Sequence, residues 1–385
     1  MTVKLYYEDA YIKSFTARVL SSEPSGELYD VVLDRTAFFP EEGGQYSDTG
    51  LIMDSRVSSV FERSGTVHHL VTSPIPVGET VSCSIDFDER YEKMQCHTAE
   101  HILSGIFHSE YGYDNVGFHL GAEIVTMDIN AILSEEQIER VELLANRAVY
   151  ANVPVSASFP EADELSALEY RSKLDLTENV RIVTIVGYDS CACCAPHVAR
   201  TGEIGIIRIT DFVKHRGGTR ITMSAGIRAY REIKAEYASI KRISRALSTP
   251  RVEIADGVEK LLSDLEFSRS EYKSARAALM AAKAENLLGG GENYLALLEG
   301  ATADELRELS NLLLPSVRGI LVLLGGEAPE RKYVISSETV NLSAEAKKIN
   351  AALSGRGGGK PCMIQGALSA DLDSVIAYFE NFNAR

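Results

Sequence analysis

The hydrophobic period of this chain changes abruptly at Asp88, and that change limits the folds open to it. Before it, short runs such as SFTARVL, LYDVVLD, VSSVFE, TVHHLVT and ETVSCSIDF alternate between turn-forming SSEPSGE, EEGG and SPIPVGE. Side chains two residues apart share one face of a strand, so the pattern predicts a small antiparallel β-barrel. From Asp88 onward, DERYEKMQCHTAEHILSGIFHSEY sets Met94, Ile102, Leu103 and Ile106 at helical spacing behind an acidic first turn. A helix is expected there.

A chain of 385 residues exceeds what one core usually organises, so two or three domains are expected. Strands resume at FHLGAEIVTMDI, and helices are predicted at about 134–150 and 161–173. After Gly226 comes an Ala-rich helical stretch, broken near Pro250, with Val258, Leu261, Leu262, Leu265 and Leu279 spaced for an antiparallel hairpin. The GGGEN turn at 289–293 opens a last segment of alternating helices and strands. The expected class is α+β, with a β-barrel over 1–90, a mixed metal-binding domain over 91–228, a helical hairpin over 229–288 and an α/β domain over 289–385.

Hydrophobic residues make up 45% of the chain but form no apolar run of spanning length, so no membrane segment is expected. The N-terminus lacks the basic start, apolar middle and small-residue cleavage site of a secretory signal, and the expected location is the cytoplasm. A net charge of -16 opposes binding of a polyanion as a whole. Lys214, Arg216, Arg220, Arg228, Arg231, Lys234, Lys241, Arg242, Arg245 and Arg251 nevertheless form a local basic stripe, either an electrostatic footprint or a solvated face.

Four of six cysteines, Cys96, Cys191, Cys193 and Cys194, bunch near histidines rather than spreading as a disulfide framework would. In HTAEH, His97 and His101 lie one helical turn apart and can share a cation. In CACCAPHV, Cys193 and His197 form a second four-residue pair, and this mixed His and Cys set suits one tetrahedral zinc ion. Two alternatives stay open: a Cys191–Cys194 redox pair, with Cys194 also able to replace Cys193, and an H-x-x-E-H peptidase with Glu100 as base and Glu178 as a further ligand. Otherwise Glu100 is a solvated helix residue.

The run LDRTAFFPEEGGQYSDTG combines Gly43 and Gly44, which permit a tight turn near a ligand, with the polar groups of Thr36, Gln45 and Asp48. An ordinary barrel turn would read the same way.

With GGQYSDTG, HTAEHILSGIF and CCAPHVARTGEIG in this order, the chain resembles the editing domain of alanyl-tRNA synthetase and its free-standing relatives, the alanyl-tRNA editing proteins. GRGGGKPCMIQG resembles the glycine-rich signature of the synthetase C-terminal domain, found also in DHH-family phosphoesterases. No class II aminoacylation motif is recognised before the barrel, so the expectation is editing without charging. The resemblance implies a trans-editing hydrolase that deacylates mischarged alanine tRNA, Ser-tRNA first and Gly-tRNA second. It implies one zinc held by His97, His101, Cys193 and His197, catalytic roles for Thr36 and Gln45, and substrate contacts at Gly43 and Gly44. Arg356 and Lys360 in the C-terminal glycine-rich loop would touch RNA backbone, and a homodimer through the C-terminal region stays open. Where the synthetases usually read CGGTH, this chain has Cys193, Cys194, Ala195, Pro196 and His197, so proline replaces a threonine hydroxyl. A non-catalytic tRNA-binding protein with structural zinc is the alternative.

Overall fold

The computed structural model describes residues 1–172, 179–287, 292–327 and 329–382. The architecture is mixed α+β, and the chain falls into two compact units, Met1–Arg242 and Ile243–Arg385.

In the first unit, Ser14–Ser25, Leu28–Leu33, Thr66–Val71, Ser55–Arg63, Gly50–Ile52 and Thr80–Ile85 hydrogen-bond in that cyclic order, the last pairing back to the first. Alternate side chains enter the barrel, as Val67, His69 and Val71 do from one strand. Val31, Leu33, Val57, Val60 and Phe38 fill the interior.

The helix Phe87–Tyr111, α1, follows directly. Arg90 and every residue from Glu92 to Phe107 are buried, so α1 is a central helix rather than a surface one. Met94, Ile102, Leu103 and Phe107 pack with Met127, Ile221 and Met223 of a four-stranded antiparallel sheet. That sheet comprises Ile207–His215, Gly218–Ala225, Val125–Ile129 and Asn115–Leu120, in that order. The helix Glu135–Ala151, α2, covers the same core and starts in a capping box in which Ser134 and Gln137 satisfy each other's backbone N–H.

A three-stranded antiparallel sheet, Val155–Ser158, Ile182–Ile185 and Asp189–Ala192, completes the unit. The helix expected over 161–173 is confined to Ala162–Ala167. Only Leu165 of that turn is buried, too little to extend the helix, and Arg171 instead pairs as a bridge with Cys191. Residues 173–178, including Glu178, lie outside the described set.

Gly105 explains how this sheet meets α1. A Cβ there would lie 2.2 Å from the Tyr188 carbonyl oxygen and 2.9 Å from Asp189 Cβ. Bare backbone at this position lets the 188–189 turn rest on the helix one turn beyond His101. Gly105→Ala would gain about 1 kcal/mol in helix propensity. The forced displacement is nevertheless expected to leave the variant about 1–3 kcal/mol less stable in denaturant titrations.

The second unit carries a five-stranded sheet in the order Tyr294–Glu299, Leu321–Gly326, Arg331–Ser336, Met363–Leu368, Gly355–Lys360. Two apolar clusters form around it, one with Leu306 and Leu309, the other with Ile349, Val375 and Phe379. The glycine-rich segment expected as a loop is an edge strand, in register with Met363–Leu368. A Cβ on Gly366 would fall 2.0 Å from the Arg356 carbonyl oxygen, and one on Gly357 would fall 2.5 Å from the Tyr333 hydroxyl. Here glycine serves close packing of a sheet edge. Arg356 and Lys360 are exposed on that strand, Arg356 pairing with Glu330 at 2.8 Å.

Among the described residues no helix is long and apolar enough to cross a membrane.

Candidate metal centre

One stripe of α1 runs Arg90, Lys93, His97, His101, Gly105, each three or four residues after the last, and it builds one wall of the site. Arg90 grips Asp48 through Nε at 3.0 and 2.8 Å and through Nη2, and also donates to the Ala37 carbonyl at 2.6 Å. Lys93 donates to the Ser47 carbonyl at 2.6 Å and lies over the Tyr46 ring. Asp48, read from sequence as a polar group around a ligand, is thus spent on Arg90 and on the Phe39 N–H. These contacts latch the 42–48 loop to α1.

The latch places the glycine turn. Glu42 and Gln45 exchange backbone hydrogen bonds across Gly43 and Gly44, whose φ values are +62° and +82°. A Cβ on Gly44 would lie 2.4 Å from the Phe118 carbonyl oxygen, so the turn presses backbone to backbone on the Asn115–Leu120 strand. Gly43 faces Cys194 Sγ. Gln45, fully buried, then points Oε1 at His97 Nδ1, 2.8 Å away. Its Nε2 is buried with no acceptor among the described residues.

The second wall is the 193–197 loop. Arg181 donates to the carbonyls of Cys193 and Ala195, both at 2.9 Å, and Ala195 packs with Tyr6 and Phe39. Ligand-type atoms of His97, His101, Cys193 and His197 consequently all lie within 4.8 Å of one another. The three histidines are 2–6% exposed.

Hydrogen bonding fixes which nitrogen each ring turns inward. His97 Nδ1 faces a carbonyl-type oxygen of Gln45, and His101 Nδ1 faces the Asp189 carboxylate at 3.0 Å, so both carry hydrogen there. Thr98 donates its hydroxyl to the Met94 carbonyl at 2.7 Å, so it accepts from His197 Nδ1 at 3.0 Å. All three Nε2 lone pairs are thereby free for a cation. His97 Nε2 and His197 Nε2 stand 3.6 and 3.4 Å from Cys193 Sγ. A tetrahedral zinc with bonds of about 2.3 Å to sulfur and 2.0–2.1 Å to nitrogen would separate such donors by about 3.5 Å. The donor set fits a zinc ion.

Charge is disposed the same way. Burial opposes a thiolate at Cys193, but the histidines around it, His97 first among them, hold its pKa well below the ordinary thiol value. Burial pushes His197 down to about 3, leaving it a neutral imidazole. Burial also opposes charge on His101, yet Asp189 and Cys193 raise its pKa well above the usual value, and the same negative partners would favour a metal cation. Asp189 is buried at a cost to its charge, and His101 and Arg171 keep it ionised.

The alternatives find less. Cys194 turns towards Gly43 and Glu42, and burial raises both its thiol and that of Cys191, the reverse of an activated redox pair. All six cysteines are free thiols. Glu100 is not solvated but buried at 4% exposure, accepting from Ser104 Oγ and Asn115 Nδ2 at 2.5 Å each. Those bonds occupy Oε1, while Oε2 lies 4.0 Å from His101 Nε2. Thr36 is enclosed in the barrel: because His69 Nδ1 is spent on the Val31 carbonyl at 3.0 Å, Thr36 donates to His69 Nε2 at 2.9 Å. Its oxygen also accepts from the Phe38 N–H at 3.1 Å. Part of the basic stripe is consumed as well, with Arg220 paired to Asp128 and buried Arg228 near Glu92.

Asp189, Arg171, Thr98 and Arg90 were not legible as site residues. Their partners lie 18 to 99 positions away in sequence, and only a folded chain joins them.

Comparison with known proteins follows this division. Residues 180–243 match the second additional domain of threonyl and alanyl tRNA synthetases, residues 4–89 the class II (A) tRNA synthetase model, and residues 291–384 the DHHA1 domain. Two of the three matches are thus to synthetase domains, over the barrel and over the region that holds Cys193 and His197. The chain is 28% identical to alanyl-tRNA editing protein AlaX-L of Pyrococcus horikoshii, the match covering 98% of this chain and 97% of that one. Alanine–tRNA ligases of Halobacterium salinarum and Pyrococcus furiosus are each 30% identical over 87% and 95% of this chain. The chain spans only 38% and 42% of those ligases.

Proposed function

We propose that this chain is a trans-editing hydrolase that removes the wrong amino acid from mischarged alanine tRNA, serine first and glycine second. The observation that carries the reading is the convergence of His97, His101, Cys193 and His197 with every imidazole pinned at Nδ1. Similarity to an alanyl-tRNA editing protein along almost the whole chain supports the substrate class. The location follows from that role, in the cytoplasm with charged tRNA.

Zinc held by these four donors would supply a fixed positive charge at the end of the aminoacyl group. Four protein donors make a closed set, which favours substrate positioning over activation of a metal-bound water. The chain's own groups then orient the ester. The hydrogens on Gln45 Nε2 are its free donors and would serve the ester carbonyl or the attacking water, in a dry setting where such a bond is strong. Gly43 and Gly44 keep the turn free of side chains against Phe118 and Cys194. In hydrolysis, water adds its oxygen to the ester carbonyl carbon, the bond to the ribose oxygen breaks, and that oxygen leaves with a proton.

Discrimination is assigned to Thr36 from the resemblance, and because Thr36 is fully buried it requires the barrel wall to open to the serine side chain. Because its hydrogen is committed to His69, it offers an incoming serine hydroxyl only a lone pair, and serine must be the donor. Alanine has nothing to give. Thr36→Val is therefore expected to lower the ratio of kcat/KM for Ser-tRNA over Ala-tRNA by ~10-fold or more, with about 1–3 kcal/mol of stability lost as His69 Nε2 goes unpaired. A variant that loses stability but keeps the full ratio would confine Thr36 to the barrel core.

A further inference from the structure

The three imidazoles are pinned by partners of different chemistry. His97 meets a neutral amide and His197 a hydroxyl, whereas His101 alone meets a carboxylate, and that carboxylate is clamped by a guanidinium. We propose that Asp189 and Arg171 are positioning residues for His101: Asp189 fixes the hydrogen on Nδ1 and aims Nε2 at the shared site, and Arg171 locks Asp189 in place. This inference rests on the reading of the four donors as a zinc site.

The geometry is that of a built device. Asp189 has a side chain only 2% exposed and uses both oxygens: Oδ2 accepts from His101 Nδ1 at 3.0 Å, while Oδ1 and Oδ2 accept from Arg171 Nε and Nη2 at 2.7 and 2.8 Å. Bidentate pairing of this kind sets the plane of the carboxylate as well as its position. Arg171 is itself held by its main chain, whose N–H donates to the Ser190 carbonyl at 2.8 Å and whose carbonyl accepts from Ala192 N–H at 2.9 Å. The guanidinium therefore starts from an edge residue paired beside the strand it grips. Gly105, one turn beyond His101, admits the 188–189 backbone to the helix surface.

A second metal ion is the rival use of these groups, because His101, Asp189 and Cys191 also bring donor atoms within 4.8 Å of one another. Arg171 decides against it. A fixed positive charge on both carboxylate oxygens opposes a second cation. What remains is a carboxylate–histidine pair serving the first site, an arrangement that fixes ring orientation and strengthens the imidazole as a ligand.

The test is zinc affinity of the full chain, stripped with a chelator, reloaded, and titrated against a chromogenic zinc chelator. Asp189→Ala should weaken zinc binding by about 10–100-fold. Asp189→Asn, which keeps an acceptor but loses the ion pair, and Arg171→Met should each weaken it by a smaller factor of about 10. Ser190→Ala, on the same strand but outside the relay, should bind as the unchanged chain does. Should Asp189→Ala fail to fold, the Asn and Met variants carry the test. Zinc held by both of those with unaltered affinity would overturn the proposal, even if their metal-free forms unfold at lower temperature, because that result describes structural support alone. An unchanged chain that binds no zinc at all would instead sink the zinc-site reading, and the two failures are separate.

Discussion

Cys193→Ala is expected to abolish deacylation of Ser-tRNA. Its sulfur stands 3.4–3.6 Å from two imidazole nitrogens and is the donor through which the 193–197 loop joins α1. Removing it leaves three neutral or cationic imidazoles and no anionic ligand. Zinc content should fall well below one per chain, and kcat/KM should drop by at least about a thousandfold, equivalent to ~4 kcal/mol of transition-state stabilisation. The fold should survive, because the apolar core around α1 is built from Met94, Ile102, Leu103 and Phe107 and not from the four donors. A soluble, cooperatively unfolding variant with normal activity would remove Cys193 from the mechanism.

The largest expected effect on stability comes from the latch. Arg90 and Asp48 are 0% and 1% exposed, and their pairing joins the barrel loop to α1. Arg90→Met would leave the Asp48 carboxylate buried beside Lys93 and the Phe39 N–H with its main partner gone, at a cost of about 3–5 kcal/mol. Adding Asp48→Asn should recover part of the loss, since the double variant no longer buries a carboxylate that has lost its main partner and Lys93 keeps Glu89 at 3.0 Å, so the two effects should combine less than additively. Equilibrium denaturation of the single and double variants measures this. Independent, additive losses would mean the pair is not the coupling between loop and helix.

The sequence carried the parts of this fold that depend on local period. Alternation before Asp88 and helical spacing after it are consequences of which faces must be buried, and they are visible residue by residue. The four donors were legible for the same reason, since a four-residue spacing on a helix or tight loop puts two side chains on one side. The segment after Ala167 was not, because its backbone is decided by pairing with Cys191 and by the grip of Arg171 on Asp189, both tertiary. The glycine-rich C-terminal segment misled in a similar way: composition says loop, but the glycines are needed where Tyr333 and two strands pack without side chains between them. Gly105 was the one local signal of the hidden relay. A glycine inside a helix, one turn after a candidate ligand, marks a close backbone approach, and here what approaches brings Asp189.

Gln45 has a structural use that its motif did not announce. Read from its motif as a group that would orient substrate, it is seen to hold His97 with its oxygen and keep its nitrogen in reserve. Both uses follow from one amide, and the glycine turn and the Arg90 latch aim it.

The proposed reaction is hydrolysis of a mischarged ester at a zinc site. Its most direct test follows release of labelled serine from Ser-tRNA for alanine by the full zinc-loaded chain, with Ala-tRNA and a chelator-treated sample beside it. Rapid loss of serine, sparing of alanine and loss of activity on chelation, restored by zinc, are the expected results. Esters that stay intact while zinc is bound and tRNA is retained would contradict the proposal and leave a tRNA-binding protein with a structural metal.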